Sequence, residues 1–387
     1  KIMMSTYPTA IDLFCGCGGF STGLLDAGIN VVAGFDIDKR AIKAYNYNHN
    51  YRGSKGFEAD ISKLSGKEIL QISRLSSVDI VVGGAPCQAF SIAGKREGIK
   101  DPRGTLVFEF IRLINELRPS AFILENVPNL KKVSKGEIFD LLVQQFLALG
   151  YSVSYKVLSA ADFGVAQNRK RIFILGLLNH DILYFPPEAT HCEPDNLFGK
   201  LAGLPSYLNC ADVLDDLPDV DTPSGDLVWN HEPTTHCNSV LEEFKVLQPG
   251  KRSKKYFYDR LHPHRLSYTL RAGSGNFTPL RPIHYQYDRV ISVRESARLQ
   301  GFSDDFIWED TIPRLQQYRQ VGNAVCPPVA QALGISICKN MGWSRNPKKF
   351  SGDLSSRPTP FRKSKQTKEI ERASLIRGAS IGAVTVS

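Results

Sequence analysis

The stretch TAIDLFCGCGGFSTGLLDAGINVVAGFD, residues 9–36, decides the fold. An apolar run, AIDLF (10–14), is stopped by a cluster of glycines. A helix-like segment, FSTGLLDAG, then closes on Gly28, and a second β-branched run, NVVAGFD (30–36), follows. Strand, glycine turn, helix and strand in so short a span read as one βαβ unit, whose two strands lie parallel.

The same alternation runs onward. KRAIKAYNYNHN (39–50) has helical texture, DIVVGG (79–84) is a short buried strand, and residues 104–118 have helical periodicity up to Pro119. SAFILENV (120–127) is a strand again, and a capping-box spacing from Ser134 to Glu137 opens a helix that closes on Gly150. This order predicts an α/β fold with a doubly wound, mostly parallel sheet. Two later strands, 152–160 and 171–178, are joined by a link too short for a parallel crossover, so an antiparallel pair is expected there. In doubly wound sheets ligands sit beyond the carboxyl ends of the strands. Phe14 to Gly16, Asp36, Cys87 and Glu125 all fall at such ends.

From about residue 180 to 258 the texture changes to prolines, Asn, Asp and scattered aromatics, which reads as a loop-rich insert. A helix over 293–301 and a final one over 328–340 restore regular structure. Beyond residue 344 the chain reads as a flexible basic tail with ten basic and three acidic residues. It holds seven of the nine net positive charges, leaving about two for the body. Such runs are commonly solvated, so net charge alone does not assign nucleic acid as the partner. No apolar run has the length of a membrane span, and no secretory leader is evident, so an intracellular, cytoplasmic protein with no membrane partner is expected. Eight irregularly spaced cysteines do not form a disulfide framework.

The glycine-rich turn lets a ligand approach the backbone closely. Its dinucleotide fingerprint fails, because after Gly16 and Gly18 the third position is Ser21. What remains fits an adenosine ligand without a pyrophosphate, with Asp36 placed to meet ribose hydroxyls. Cys15 with Cys17, His191 with Cys192 and His236 with Cys237 do not have zinc spacing, and no metal is expected.

Five stretches belong together: DLFCGCGGFSTG (12–23), GGAPCQAFS (83–91), ENV (125–127), QNRKRIF (167–173) and QVGNAVCPPVAQALG (320–334). Read singly, a buried cysteine is usually a small hydrophobe, and a glutamate at a strand end usually caps or pairs. In this order they resemble the C5-cytosine DNA methyltransferases of bacterial restriction-modification systems, over roughly residues 10–178 and 265–342. The resemblance implies a methyltransferase (Rossmann-like) sheet with S-adenosyl-L-methionine as cofactor and a smaller, loop-rich target-recognition domain. Double-stranded DNA would lie between the two. Residues 1–180 would form the catalytic and cofactor-binding domain and 181–317 the target-recognition domain with its hinge. Residues 318–343 would be a helix returning to the first domain, and 344–387 the tail. Asp36 stands where the family usually has Glu, and Asp38 competes for that role. The resemblance also places Phe14, Gly16, Gly18, Ile37, Asp60, Ile61, Leu106, Asn323 and Ala324 around the cofactor, with Asp60 and Ile61 against adenine and Leu106 near the methionine part.

The chemistry explains why these residue types are needed. C5 of cytosine is a poor nucleophile until a soft nucleophile adds to C6, and a thiolate suits that addition. Cys87 is the candidate, held at its strand end by Pro86 and the preceding glycines. Glu125 would hydrogen-bond N3 and the exocyclic amine, a task that needs a raised carboxyl pKa. Arg171 would engage the base and anchor Glu125, and Arg169 would support the same loop; an arginine fork is not replaced by lysine. The base must leave the duplex to be reached. Candidate base readers lie within 201–281, and Lys95 and Arg103 are placed to meet phosphates. A monomer is expected, with a restriction endonuclease acting separately. Rivals are a tRNA cytosine methyltransferase on the same fold, a non-catalytic DNA-binding protein and a nicotinamide-dependent oxidoreductase. Absence of the tRNA branch's Cys-Phe-Thr run, an intact site and the failed fingerprint count against them in turn.

Overall fold

The computed structural model describes residues 7–86, 105–220, 228–272 and 281–361, without the side chains of residues 105, 133 and 134. Cys87, Lys95, Arg103 and residues 362–387 lie outside the described residues.

The opening βαβ unit forms as its sequence dictates: β1 (Thr9–Leu13), α1 (Gly19–Asp26) and β2 (Asn30–Asp36), with both strands parallel. Next come α2 (Lys39–His49), β3 (Lys55–Glu58), α3 (Gly66–Ser73) and β4 (Ile80–Gly83), then α4 (Thr105–Leu117), β5 (Ala121–Asn126) and α5 (Glu137–Ala148). Finally β6 (Tyr151–Ser159) and β7 (Lys170–Leu178) form the expected antiparallel hairpin, and β7 also runs antiparallel to β5. The sheet order is β3-β2-β1-β4-β5-β7-β6. The chain winds outward from β1 to β3 and then returns to lay β4 on the other side of β1. The ends of β1 and β4 therefore flank the switch point where such sheets hold ligands.

Strand alternation divides the apolar side chains between two faces. Ile11, Leu13, Val81, Phe122 and Leu124 pack on one with residues of α3, α4 and α5, among them Phe110 and Phe146. Ala10, Val31, Val82, Ile123 and Phe173 pack on the other with α1 and with α11 (Pro327–Met341). Contact between α1 and α11 is backbone-close. A Cβ on Gly23 would lie 2.2 Å from the Pro327 carbonyl oxygen and 2.5 Å from the Ala330 Cβ, so only glycine fits.

The remaining helices are short: α6 (Leu197–Leu201), α7 (Cys210–Leu214), α8 (Asn238–Val246), α9 (Val293–Leu299) and α10 (Arg314–Asn323). The loop-rich insert thus contains three of them. Residues 314–341 are apolar and long enough to cross a membrane, but most of that window is buried within the fold.

Three expectations need correction. Strand β3 is an edge strand the sequence reading does not contain. The helix expected to open at Ser134 starts later. Residues Pro128–Gly136 make 3-10 turns, and α5 starts after Gly136, whose left-handed φ of 98° makes it the N-cap with no side-chain cap bond. The tail is not flexible from residue 344. Phe350 is buried edge-on to Tyr7, its carbonyl accepts from Arg52 Nε (2.8 Å), and Arg357 sits over the rings of Tyr47 and Tyr51 while reaching Asn48. Residues 343–361 are therefore a strap across α1 and α2.

Burying one phenylalanine contributes about 2 kcal/mol, and the Arg357 contacts add to it. A chain ended after Gly342 should be about 2–4 kcal/mol less stable than one ended after Phe361, read by urea unfolding; equal midpoints would mean that the strap is not held in solution.

Candidate active site

Two clusters of side chains meet at the carboxyl ends of the strands. The first is built on the turn after β1. Phe14 has a left-handed φ of 59°, costly for an aromatic residue, and Gly16 (φ 55°) and Gly18 (φ 96°) continue the turn. The turn is pinned to β2: the Cys15 N–H donates to the Phe35 carbonyl (3.0 Å), and the Gly16 N–H to Asp36 Oδ2 (2.9 Å). Asp36 Oδ1 accepts from the Asp38 N–H (2.8 Å), so this carboxylate orders the glycine turn and the entry to α2 together. Burial raises its pKa, and the backbone donors oppose the rise. Asp38, its competitor in the sequence reading, is spent on capping α2 through the Arg40 and Ala41 N–H groups.

The other residues expected at the cofactor differ in exposure. Ile37 is 69% exposed, an apolar side chain open at the end of β2. Asp60 follows β3 and caps a 3-10 turn through Ser62, while Ile61 is buried in the same core that Phe14 packs on. Leu106, on the first turn of α4, is half-buried. Asn323 is exposed at the end of α10; Ala324 and Val325 press against α1, where a Cβ on Gly19 would meet the Val325 carbonyl at 2.3 Å.

Beneath the turn lies a chain of buried polar groups that the sequence reading did not single out. Ser21 Oγ donates to Asp12 Oδ2 (2.7 Å), Tyr45 OH donates to Ser21 Oγ (2.9 Å), and Tyr45 OH also meets Ser54 Oγ (2.7 Å). Burial pushes Asp12 up to about 7, with Ser21 pulling the other way. His49 stacks on Tyr45 and is held neutral by burial, its pKa depressed to about 3. A Cβ on Gly18 would collide with the His49 ring at 2.4 Å, so α2 fixes the turn from below. The sequence signal was an acid inside the apolar run AIDLF.

The second cluster is built on β5 and β7. Glu125 is buried, and Arg171 Nε lies 3.1 Å from its Oε1. Desolvation raises the Glu125 pKa, and the neighbouring Arg171 and Arg169 guanidiniums moderate the rise. Arg169 is fully enclosed: Nη1 donates to the Leu270 carbonyl (3.3 Å), and Nη2 to those of Gly322 and Ala324 (both 3.1 Å). Burial depresses its pKa to about 10, which leaves it charged at neutral pH. Gln167 extends the junction, donating to the Leu299 carbonyl and Gln300 Oε1 while accepting from the Leu270 N–H. Glu125, Arg169 and Arg171 line a pocket whose other walls are Leu158, Ala160, Phe173, Val325, Cys326 and Val329.

The end of β4 closes on this cluster. Asn126 Nδ2 donates to the Ala85 carbonyl (3.1 Å), and a Cβ on Gly84 would lie 3.3 Å from Glu125 Oε2. Pro86 is half-buried beside them, and the chain leaves the described residues there, at the position before Cys87. Among the described residues no cluster of metal-ligating side chains occurs.

A seven-stranded mixed sheet with a glycine turn and a buried Glu–Arg pair at its carboxyl edge defines an α/β methyltransferase. A sequence profile of the C-5 cytosine-specific DNA methylases matches residues 9–339. The type II methyltransferase M1.HphI of Haemophilus parahaemolyticus is 34% identical over 86% of this chain and 87% of its own length. M.NgoBI of Neisseria gonorrhoeae, another type II methyltransferase, is 33% identical over 88% and 95%. A DNA modification methyltransferase encoded within an E. coli prophage superposes with a TM-score of 0.71 at 26% identity, covering 87% of this chain and 99% of that one. S. pombe Dnmt2 shares the fold at a TM-score of 0.62 and 20% identity, over 86% and 99%. The chain belongs to the C-5 cytosine-specific DNA methylase family.

The folded protein holds Asp12 protonated up to about pH 7, whereas an unfolded chain releases that proton near 3.8. Between those values the folded state carries the extra proton, so stability falls as pH rises, by up to about 1.4 kcal/mol per pH unit. Asp12→Asn keeps an acceptor for Ser21 and removes the titration. Its urea-unfolding free energy should be flatter than the wild type's from pH 5 to 7, and an equal slope would assign the loss to other groups.

Proposed function

We propose that this enzyme transfers the methyl group of S-adenosyl-L-methionine to C5 of a cytosine within a short specific sequence of double-stranded DNA. The base would be flipped out of the helix and held as a covalent Cys87–C6 adduct. The observation that carries this reading is the buried Glu125–Arg171 pair, set against the strand end that leads through Pro86 directly to Cys87.

The glycine turn fits the cofactor on physical grounds. Its left-handed residues leave the backbone open to close approach, and Ile37 offers apolar surface. The Asp36 carboxylate accepts from the Gly16 and Asp38 N–H groups at this turn, and Asp12, whose proton burial retains, lies beneath it. Such a floor disfavours a pyrophosphate and suits a cationic ligand. The cofactor supplies an electrophilic sulfonium methyl. Phe14, Gly16 and Gly18 would shape its bed, Asp36 would take ribose hydroxyls, Asp60 and Ile61 would face adenine, and Leu106, Asn323 and Ala324 would close the methionine end.

The protein's own groups do the rest. The Cys87 thiolate adds to C6, and electron density moves toward N3, where Glu125 holds a proton because burial disfavours its anion. Arg171 keeps that carboxyl oriented and can engage the base at the same time. C5 then bonds the methyl carbon as the bond from that carbon to sulfur breaks. A base removes the C5 proton, and the electron pair left behind expels the thiolate. Arg169 takes no part in these transfers; it fixes the loop through three carbonyls.

The type II relatives support a role as the modification enzyme of a restriction-modification system, paired with an endonuclease that acts separately. We further infer a monomeric, cytoplasmic enzyme divided as the sequence suggests into catalytic residues 1–180, target-recognition residues 181–317 and a returning helix, 318–343.

Bisulfite sequencing of plasmid DNA from a methylation-deficient host expressing the protein tests this reading. Methylated cytosines should appear in one short context and vanish with Cys87→Ala, which should still bind duplex. Glu125→Gln should lower the single-turnover rate by about 10²–10⁴-fold with duplex affinity kept. Unmethylated DNA in the presence of soluble protein would overturn the reading.

A further inference from the structure

The sheet ends on one side in β6, and this edge carries a concentration of positive charge that the transfer chemistry leaves unused. Lys156 on β6 is paired with Phe173 on β7, which is paired with Glu125 on β5. Directly paired residues project to the same face, so Lys156 shares the face of Glu125, two strand spacings or roughly 10 Å away. Lys170 starts β7 opposite Ser159, at the end of the sheet where the pocket opens. Lys131, in the 3-10 turns after β5, has its ammonium 5.0 Å from the centre of the Tyr155 ring and 5.8 Å from that of Phe139. These rings lie on the face opposite Lys156, so they hold Lys131 at the same edge from the other side of the sheet. Lys132 and Lys135 follow in the same turns.

All five lysines are exposed, and none makes an ion pair with a described acid, Glu137 and Asp140 of the adjoining α5 included. The opposite edge differs. Strand β3 balances Lys55 with Glu58, and Asp60 follows it. Lysine on an edge strand also guards against pairing with another chain. That task accounts for Lys156 alone, since Lys170 lies on β7 and Lys131, Lys132 and Lys135 lie in the turns after β5, off the edge strand.

We propose that the β6 edge, with Lys131, Lys156 and Lys170 as its principal groups, is a phosphate-binding track that grips the DNA backbone flanking the target cytosine. This rests on the DNA methylase reading and extends it to a surface beside the pocket. A base drawn toward Glu125 brings its own strand to the mouth of the pocket. A lysine roughly 10 Å along the same face then meets the sugar-phosphate backbone rather than base edges. Contacts of this kind set register and add affinity without reading sequence. They also release counterions, so each gives a salt dependence of about 0.9 in the slope of log K against log salt.

The test measures affinity of the full chain for a duplex carrying its methylation site, across salt concentrations, with single-turnover methyl transfer at saturating duplex alongside. Lys131→Gln/Lys156→Gln should flatten the slope by about 1.8, two contacts' worth, and leave the saturated single-turnover rate within about twofold of wild type. Lys55→Gln on the opposite edge should leave the slope unchanged. An unchanged slope in the double variant overturns the track, and increased aggregation beside it would assign the lysines to edge protection. A slope flattened equally by Lys55→Gln also overturns it, by making the effect one of overall charge. If the wild type binds no duplex, the DNA reading itself fails, a result distinct from a binding wild type with an indifferent edge.

Discussion

Arg169 is a cation buried where the sheet, the insert and the C-terminal helices converge, and the placement of the site depends on it. Its guanidinium bonds the carbonyls of Leu270, Gly322 and Ala324, residues that lie 101, 153 and 155 positions away in the chain. A buried charge is costly unless its donors are satisfied, and removing a partner from such a group costs several kcal/mol. This cation has no carboxylate of its own, since Glu125 is committed to Arg171. Backbone oxygens therefore bear most of its compensation. Two otherwise independent segments, at Leu270 and at Gly322–Ala324, must stay in position to supply them, and that requirement fixes the wall of the pocket formed by Val325 and Cys326.

The glycine turn depends on a comparable device of opposite sign. Phe14 tolerates a left-handed backbone because both neighbours of the turn are fixed: β2 through Phe35 and Asp36, and α2 through the rings of Tyr45 and His49. Helix α2 is itself braced from outside. Asn48 clasps the backbone of Ile307 with both ends of its amide and takes the guanidinium of Arg357 from the strap. The C-terminal strap is thus connected mechanically to the glycine turn through one helix. Its position in the sequence, after the last motif, gives no hint of this.

What was legible in the sequence was local. Strand β2 runs over residues 30–36 as read, because its β-branched run is bounded by Gly28 and by the acid that ends it. The β6–β7 hairpin followed from link length alone. Strand β3 was not legible: four residues, KGFE, on a sheet edge need no apolar alternation. The start of α5 was misread because Gly136 reaches a left-handed conformation that needs no capping side chain. The strap was misread because its anchors, Phe350 and Arg357, stand among polar and basic residues and find their partners about 300 positions earlier. At the site, motif spacing pointed to Glu125 and Arg171, which the fold brings to 3.1 Å. The Asp12–Ser21–Tyr45–Ser54 chain escaped notice, since it joins the glycine motif to Tyr45 and Ser54, which belong to no motif.

Net charge was the least informative quantity in the sequence, and its placement is among the most informative in the structure. The formal +9 is concentrated in the C-terminal segment, so the body is nearly neutral. Within that body the charges are sorted by function. Carboxyl groups lie under the glycine turn, where burial raises the pKa of both Asp12 and Asp36. Guanidiniums lie at the pocket, where they restrain the rise that burial imposes on Glu125. The sheet keeps the two clusters apart by placing β1 and β2 on one side of the switch point and β5 and β7 on the other. Strand β4 runs between them, and Pro86, three residues past its end, is half-buried beside the second cluster.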